Sequence, residues 1–379
     1  MFRLIYILPV IIIGVAYLLV GIESLWYLYL ILLIITEALV YWVMYRALRV
    51  VEYLSGYATA AYHHEAWTER VVTHHTVTDA RGNVRTRTVV NYVYHPDEWF
   101  VLLNTGDNVD ISEESYCSIV GLWNSEEEWI DVPHVNCVSG GGGQEILFDG
   151  VYAHLVTTTF KGLYVNYVRG SNSIFRYEPL SRREASRLGL IPYPSIDTDM
   201  LDIDAILVSP KLSGVNVDIL DQEHIRRINA YYGAGSQIHI FVLLFPASDG
   251  VPIALMQRRF WHGGNKNELV VCLGIEPSKD ETTPHQVAWC KAFSWCDAPQ
   301  LDNATESYFL EHRSLDFEAY AGWLRANISL WRRKEFSDFK YIGKSLSPRR
   351  VAMVAIFALA VSAVMVLIMV LLANYVGDF

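Results

Sequence analysis

The stretch RRFWHGGNKNELVVCLGIE, residues 258–276, predicts a helix that ends at a glycine pair and a strand that begins shortly after it. Gly263 and Gly264 suit the left-handed conformation that closes a helix, and the polar residues 265–267 suit a tight turn. The run LVVCLG carries no charge, which is typical of a strand covered on both faces. This helix–turn–strand unit predicts an α/β sheet.

The same pattern extends to both sides of this unit. DQEHIRRINAYYGAG (221–235) begins with aspartate and stops at glycine, as a capped helix does, and QIHIFVLLF (237–245) is typical of a buried strand. QVAWCKAFSW (286–295) alternates like a third strand, and residues 315–335 form a long amphipathic helical pattern that leads towards the C-terminal apolar run. We therefore expect an α/β domain over residues 200–345.

This order of elements resembles the TPM-domain family over residues 218–335. FWHGGNKNELVVCLGI is similar to the family pattern W-G-x-G-x-x-x-x-N-G-V-L-L, with Trp261, Gly264 and Asn267 at comparable places. The resemblance implies a membrane-tethered α/β domain, often in an accessory or assembly factor. A metal or phosphatase role described for some members is the basis of an alternative interpretation, a membrane-bound hydrolase.

Residues 51–199 predict a β-rich domain. VVTHHTVTDARGNVRTRTVVNYVYH (71–95) has two strands rich in valine, threonine and tyrosine around a turn that contains Gly-Asn. Polar residues on both faces predict that this hairpin projects or lies at an edge. SRREASRLGLIPYP (181–194) predicts a short capped helix that prolines terminate.

Three apolar runs predict transmembrane helices. Leu4–Ile22 and Val351–Ala373 are uncharged, Leu25–Tyr45 has one charge, and each run reaches the roughly 20 residues that span a bilayer. The prediction is thus a membrane-anchored α+β protein with three transmembrane helices: a helical hairpin in 1–50 and a C-terminal helix in 349–379.

Basic residues flank these runs on one predicted side of the membrane, namely Arg3, Arg46, Arg49, Arg349 and Arg350. By the positive-inside rule we expect the N-terminus and residues 51–348 to be cytoplasmic and the C-terminus outside, in an inner or cytoplasmic membrane. Five cysteines without a CxxC pair suit a reducing compartment.

Residues 51–348 hold 25 basic and 38 acidic residues, a net charge of −13. Nucleic acid requires a positive field, so we expect no nucleic-acid partner. The sequence contains no nucleophile elbow, zinc-protease or dinucleotide-binding motif, and we expect no cofactor.

Two groups of residues are metal candidates because imidazole and carboxylate oxygens are common ligands. The alternatives are interface histidines and carboxylates on the solvent face of a strand. The candidates are His63 and His74, and Asp197, Asp199, Asp202 and Asp204. The turn WHGGNKNE could also hold an anion through its backbone N–H groups, although it lacks the GK[ST] ending of a phosphate-binding loop.

Glu37 and Ser362 are polar residues inside two of the predicted spans. A carboxyl at that depth is protonated, paired or hydrated. One interpretation is contact between helices or subunits, and the other is a proton or ion path, which would make the protein a small transporter or channel subunit.

The sequence therefore favours a non-enzymatic accessory, scaffold or assembly subunit of a membrane complex. We expect its partners to be the lipid bilayer and either other membrane-protein subunits or further copies of the chain. The abundance of tryptophan and tyrosine, 11 and 23 residues, favours this interpretation because these residues are enriched at protein interfaces.

Overall fold

A computed structural model describes residues 2–20, 26–47, 49–78, 84–123, 130–131, 142–165, 180–195, 202–261, 265–278, 284–295, 299–333 and 348–377. The helices of this part of the chain are α1 (Phe2–Val20), α2 (Trp26–Ala47), α3 (Glu113–Trp123), α4 (Arg182–Leu188), α5 (Ile219–Ser236), α6 (Pro252–Phe260), α7 (Pro299–His312), α8 (Phe317–Asn327) and α9 (Pro348–Gly377). The strands are β1 (Arg49–His64), β2 (Trp67–Thr78), β3 (Val84–His95), β4 (Glu98–Leu103), β5 (Asn108–Asp110), β6 (Ile130–Asp131), β7 (Gly143–Leu147), β8 (Thr157–Val165), β9 (Ile206–Val208), β10 (His239–Pro246), β11 (Glu268–Glu276) and β12 (Gln286–Ser294).

The apolar helices α1, α2 and α9 pack against one another. Helix α2 and the segment Arg349–Leu372 of α9 are long and apolar enough to cross a membrane, whereas the apolar part of α1, Ile5–Leu19, is shorter. At one end of this bundle, Arg350 Nη1 donates a hydrogen bond of 2.7 Å to the carbonyl oxygen of Ala47. The chain is thus a mixed α+β protein with two helices of membrane-spanning length.

A four-stranded sheet with the order β12-β11-β10-β9 forms the second half of the body. Strands β9, β10 and β11 are parallel, and β12 is antiparallel to β11. Ile240, Val242 and Leu244 enter one apolar core, and Phe241 and Leu243 enter the other. Burial on both faces explains the uninterrupted apolar runs that predicted β10 and β11.

Helices cover both faces of this sheet. Helices α5, α7 and α8 contribute to one core, while α4 and α6 contribute to the other. The predicted helix near residue 221 begins earlier than expected, because Asp218 is the N-cap and forms a capping box with Asp221. The predicted helix over residues 315–335 is shorter, since α8 ends at Asn327 and a 3-10 turn, Ile328–Leu330, follows.

Strand β1 is the central strand of the β-rich region. Its first part pairs with β8, and its second part pairs with β4 and β7 in a sheet of order β5-β4-β1-β7-β6. Helix α5 packs on β1 at Gly233, where an added Cβ would lie 2.9 Å from the carbonyl oxygen of Ser55. Glycine therefore permits a helix-to-strand approach that links the β-rich region to the α/β sheet.

The predicted hairpin is confirmed as the antiparallel pair β2–β3, which runs from Trp67 opposite His95 to Thr78 opposite Val84. In the described part of the chain, these two strands pair only with each other. We call this two-stranded ribbon, residues 67–95, the arm.

Candidate functional site

The turn between α6 and β11 is buried. Asn265, Lys266, Asn267 and Glu268 are each at most 3% exposed, although the sequence predicted an ordinary polar turn. A buried lysine and glutamate require partners, because desolvation of an unpaired charge costs several kcal/mol. Those partners come mainly from the turn itself, from β1 and from the segments around residues 193 and 333.

Backbone N–H groups of this turn donate hydrogen bonds to carboxyl groups of the protein itself. The N–H of Asn265 donates to Glu268 Oε2 at 2.9 Å, and the N–H of Lys266 donates to the Glu52 carboxyl group. These two N–H groups, which by sequence were candidate donors to an external anion, are therefore occupied by internal carboxyl groups. Gly263 and Gly264, the other predicted loop residues, lie outside the described residues.

Glu52 of β1 forms a buried ion pair with Arg333. Arg333 Nη2 lies 3.0 Å from Oε1 and 2.8 Å from Oε2 of Glu52, and the side chains of Arg333 and Glu52 are 4% and 1% exposed. Burial raises the pKa of Glu52, while the charges of Arg333 and Lys266 oppose that shift. The pair joins the strand that follows α2 to the segment that precedes α9.

Glu268 is a second buried carboxyl group beside this turn. It accepts hydrogen bonds from the hydroxyl of Tyr193 and from Asn265 Nδ2, the latter at 2.8 Å. Burial raises the pKa of Glu268 to about 8 even though these hydrogen bonds lower it. The tyrosine ring stacks on Tyr53 and meets the ring of Trp261 edge-on, so aromatic side chains exclude water from the carboxyl group.

His239 begins β10 and is also buried. Its Nδ1 lies 3.2 Å from the hydroxyl of Ser55, which lies 3.0 Å from the hydroxyl of Thr159. Thr159 donates in turn to Asp202, one of the predicted metal ligands, whose pKa is raised by burial. Burial lowers the pKa of His239 to about 3, so its imidazole is neutral at physiological pH.

Asn267, the third predicted loop residue, connects the turn to strands β1 and β10. Its side-chain amide donates to the carbonyl oxygen of Tyr53, and its own carbonyl oxygen accepts from the N–H of His239 at 2.7 Å. We call the group Glu52, His239, Lys266, Asn267, Glu268 and Arg333 the polar cluster. Its members on β1, β10, β11 and the turn are at most 1% exposed, so they cannot touch a solvent-borne substrate in this structure.

Among the described residues, the structure does not bring the predicted metal ligands together. His63 Nε2 lies 3.0 Å from Asp97 Oδ1, and His74 Nδ1 lies 3.1 Å from the hydroxyl of Thr88 on the arm. Asp204 pairs with Arg226 at 2.9 Å. No group of three or more potential ligands occurs within the described residues, and Asp197 and Asp199 lie outside them.

The two predicted intramembrane polar residues also have separate environments. The hydroxyl of Ser362 donates to Ala358 O on its own helix at 2.7 Å and is fully buried. Glu37 is partly buried on α2, and its Oε1 atom is buried without a hydrogen-bond partner among the described residues. The hydroxyl of Ser362 therefore donates its hydrogen bond within its own helix, α9, and not to Glu37.

The arm presents an exposed surface that carries apolar and aromatic side chains on one face. Strand register places Tyr94, Tyr92 and Val90 on one face, with Val72 opposite Val90 and Arg70 opposite Tyr92. Tyr92 and Tyr94 are 69% and 66% exposed. We call this surface the arm face; it contains no carboxylate among the residues 68–76 and 86–94 that alternate onto it.

The opposite face of the arm is more enclosed. The ring of Trp67 stacks on His95 with centroids 4.3 Å apart, and His95 Nε2 lies 3.3 Å from Glu69 Oε2. The two faces of the ribbon therefore differ in exposure and in composition.

Comparison with protein-family models, with curated proteins and with solved structures finds no match to this chain.

Proposed function

We propose that this chain is an integral membrane protein whose large cytoplasmic body acts as an accessory, scaffold or assembly subunit of a membrane complex. The arm face is the observation that carries this proposal. It exposes two tyrosines and two valines beside an arginine on a ribbon that has no other strand partner among the described strands. Tyrosine and arginine are the residues that interfaces and their hot spots favour.

The membrane anchor of the proposal consists of α1, α2 and α9 as three spans. The packing of α1 on the other two helices supports its inclusion. In this arrangement the N-terminus and residues 51–348 are cytoplasmic and the C-terminus is outside, as the arginines near the ends of the spans favour. The hydrogen bond from Arg350 to Ala47 holds the end of α2 beside the start of α9, so both spans meet the body at one place.

The TPM-like character of residues 218–335 is part of the same proposal. The succession α5, β10, α6, β11 and β12 follows the order of elements that the resemblance implies, although two helices, α7 and α8, follow β12 in place of one. The hydrolase and the transporter or channel remain alternative hypotheses, to be tested by phosphatase assays and by proton flux in liposomes.

The proposal is tested by a photo-crosslinking residue at Tyr92 in the full-length protein, in its native membrane. We expect a covalent adduct with a protein, because the arm face then lies at an interface. The same probe at Leu310, which is 66% exposed on another element, α7, is the matched control. Absence of any protein adduct from Tyr92 and from Tyr94 contradicts the proposed function.

A further inference from the structure

We propose that the arm docks on the cytoplasmic body of a second copy of this chain, with the two copies exchanging arms about a two-fold axis. This inference rests on the proposed function and names its partner. Three properties of the chain carry it: the exposed arm face, the charge of the arm relative to the body, and the area that the arm can bury.

The arm is basic, whereas the rest of the cytoplasmic region is strongly acidic. Within residues 67–95 the net charge is +2, from Arg70, Arg81, Arg85 and Arg87 against Glu69 and Asp79. The remainder of residues 51–348 therefore has a net charge of −15, since the whole region has −13. A second copy thus offers a surface complementary in charge to the arm, and such complementarity steers association.

The dimensions of the arm favour a reciprocal contact. Twelve residues per strand give a ribbon about 40 Å long, and two strands give a width of about 10 Å, so one face covers roughly 400 Å². One arm on one partner buries about 800 Å² in total, which is the size of a crystal-packing contact. Two arms exchanged between two copies bury about 1,600 Å², which is the size of a standard stable interface.

A lipid surface fits the arm less well. Segments that bind anionic membranes carry four to eight basic residues in a cluster, whereas the arm mixes its arginines with two carboxylates. Its threonines, tyrosines and valines are typical of a strand that packs on protein. The ribbon also leaves backbone groups on its outer edges for pairing with a strand of the partner.

The experiment mixes two full-length copies with different affinity tags, co-expressed in one membrane. A photo-crosslinker at Tyr92 is expected to give a dimer that carries both tags, with the adduct on the partner's body. The variants Tyr92→Ser/Tyr94→Ser and Arg70→Glu, which change side chains of the arm face, are each expected to raise the dimer Kd more than tenfold in detergent. Added salt is expected to weaken the wild-type dimer and to have less effect on the charge-reversed variant.

Arg183→Glu on α4 is the matched control. It changes the net charge of the protein by the same amount at an exposed position of another element, and it is expected to leave the Kd unchanged. An equal loss of affinity in this control overturns the proposal. If Tyr92 crosslinks only to a different protein, the exchange of arms between two copies is overturned and the proposed function stands. If Tyr92 crosslinks only to lipid, both the exchange of arms and the proposed function are overturned.

Discussion

The turn Asn265–Glu268 and the arm place their side chains in opposite surroundings. The turn consists of polar residues and is buried to 3% exposure or less, while the arm carries valines and tyrosines that are between 36% and 69% exposed on one face. This difference shows that the polarity of a segment does not by itself predict whether that segment is buried in this protein. A segment that supplies partners for its buried charges can join the core, and a ribbon with no covering element among the described residues leaves even its valines and tyrosines exposed.

The two regions also differ in what a substitution should change. The polar cluster contributes to stability because its charges have no water to replace a lost partner. The arm face contributes little to the fold, because its exposed side chains lose little water when the chain folds. Substitutions in the cluster should therefore change unfolding, and substitutions in the arm should change association.

The largest expected effect on the free energy of unfolding is that of Glu52→Ala. This substitution leaves Arg333 buried without its carboxylate, and breaking a buried pair in this way costs about 3–5 kcal/mol. The free energy of unfolding is measured by denaturant titration of the full-length protein in detergent, with tryptophan fluorescence. Glu223→Ala, which breaks the more exposed pair with Arg227 on α5, is the control and should cost about 0.5 kcal/mol. Equal losses would show that the cluster adds no more than a surface pair.

A change in pH is expected to have an intermediate effect on the free energy of unfolding. Glu268 has a folded pKa of about 8 against an ordinary value of 4.5, so the folded state retains a proton that the unfolded chain loses. Stability from this group is complete below pH 4.5 and is lost as the pH rises through 8. Neutral His239, with a pKa of about 3, acts in the opposite direction below pH 6.5, so the net fall from Glu268 and His239 together lies between about pH 6.5 and 8.

This fall is measured as the free energy of unfolding at about pH 6.5, 7.25 and 8, where one such group gives a slope that approaches about 1.4 kcal/mol per pH unit. Glu268→Gln should flatten the slope, while Glu276→Gln at the exposed end of the same strand should preserve it. Asp302, whose pKa burial raises to about 7, contributes with the same sign in both variants. An unchanged slope in Glu268→Gln would assign the pH dependence to other groups.

The smallest expected effect on stability is that of Tyr92→Ser. Exposed positions away from caps and buried networks usually change stability by about 0.5 kcal/mol or less. The unfolding midpoint of this variant should therefore match that of the wild type when the protein is monomeric. A clear loss of monomer stability would mean that the arm face packs within its own chain.

Much of the fold could be predicted from local patterns. The hairpin β2–β3 follows from its turn residues and β-branched strands, and β10 and β11 follow from their apolar runs. The short capped helix in residues 181–194 is confirmed as α4, although Gly189 in the left-handed conformation, with φ 72°, ends it before the prolines that were expected to do so. In each case the residues that decide the structure are close together in sequence.

The parts that the sequence did not reveal depend on distant residues. Strand β1 pairs with β8 about 100 residues later, and its Glu52 looks like an ordinary charge among apolar neighbours. Arg333 is the partner that explains this glutamate, and nothing in either local sequence indicates the pairing. The one local signal was an acidic residue inside the apolar run VVEYL, which is costly unless it is paired.

The pairing of Glu52 with Arg333 has a consequence for how the protein is made. The two residues are separated by 281 positions, and α9 begins only 15 residues after Arg333. At a synthesis rate of about 5–20 residues per second, the glutamate leaves the ribosome roughly 15–60 seconds before its arginine does. During that interval the Glu52–Arg333 pair cannot form, so the strand that follows α2 is joined to the segment before α9 only when most of the chain has been made.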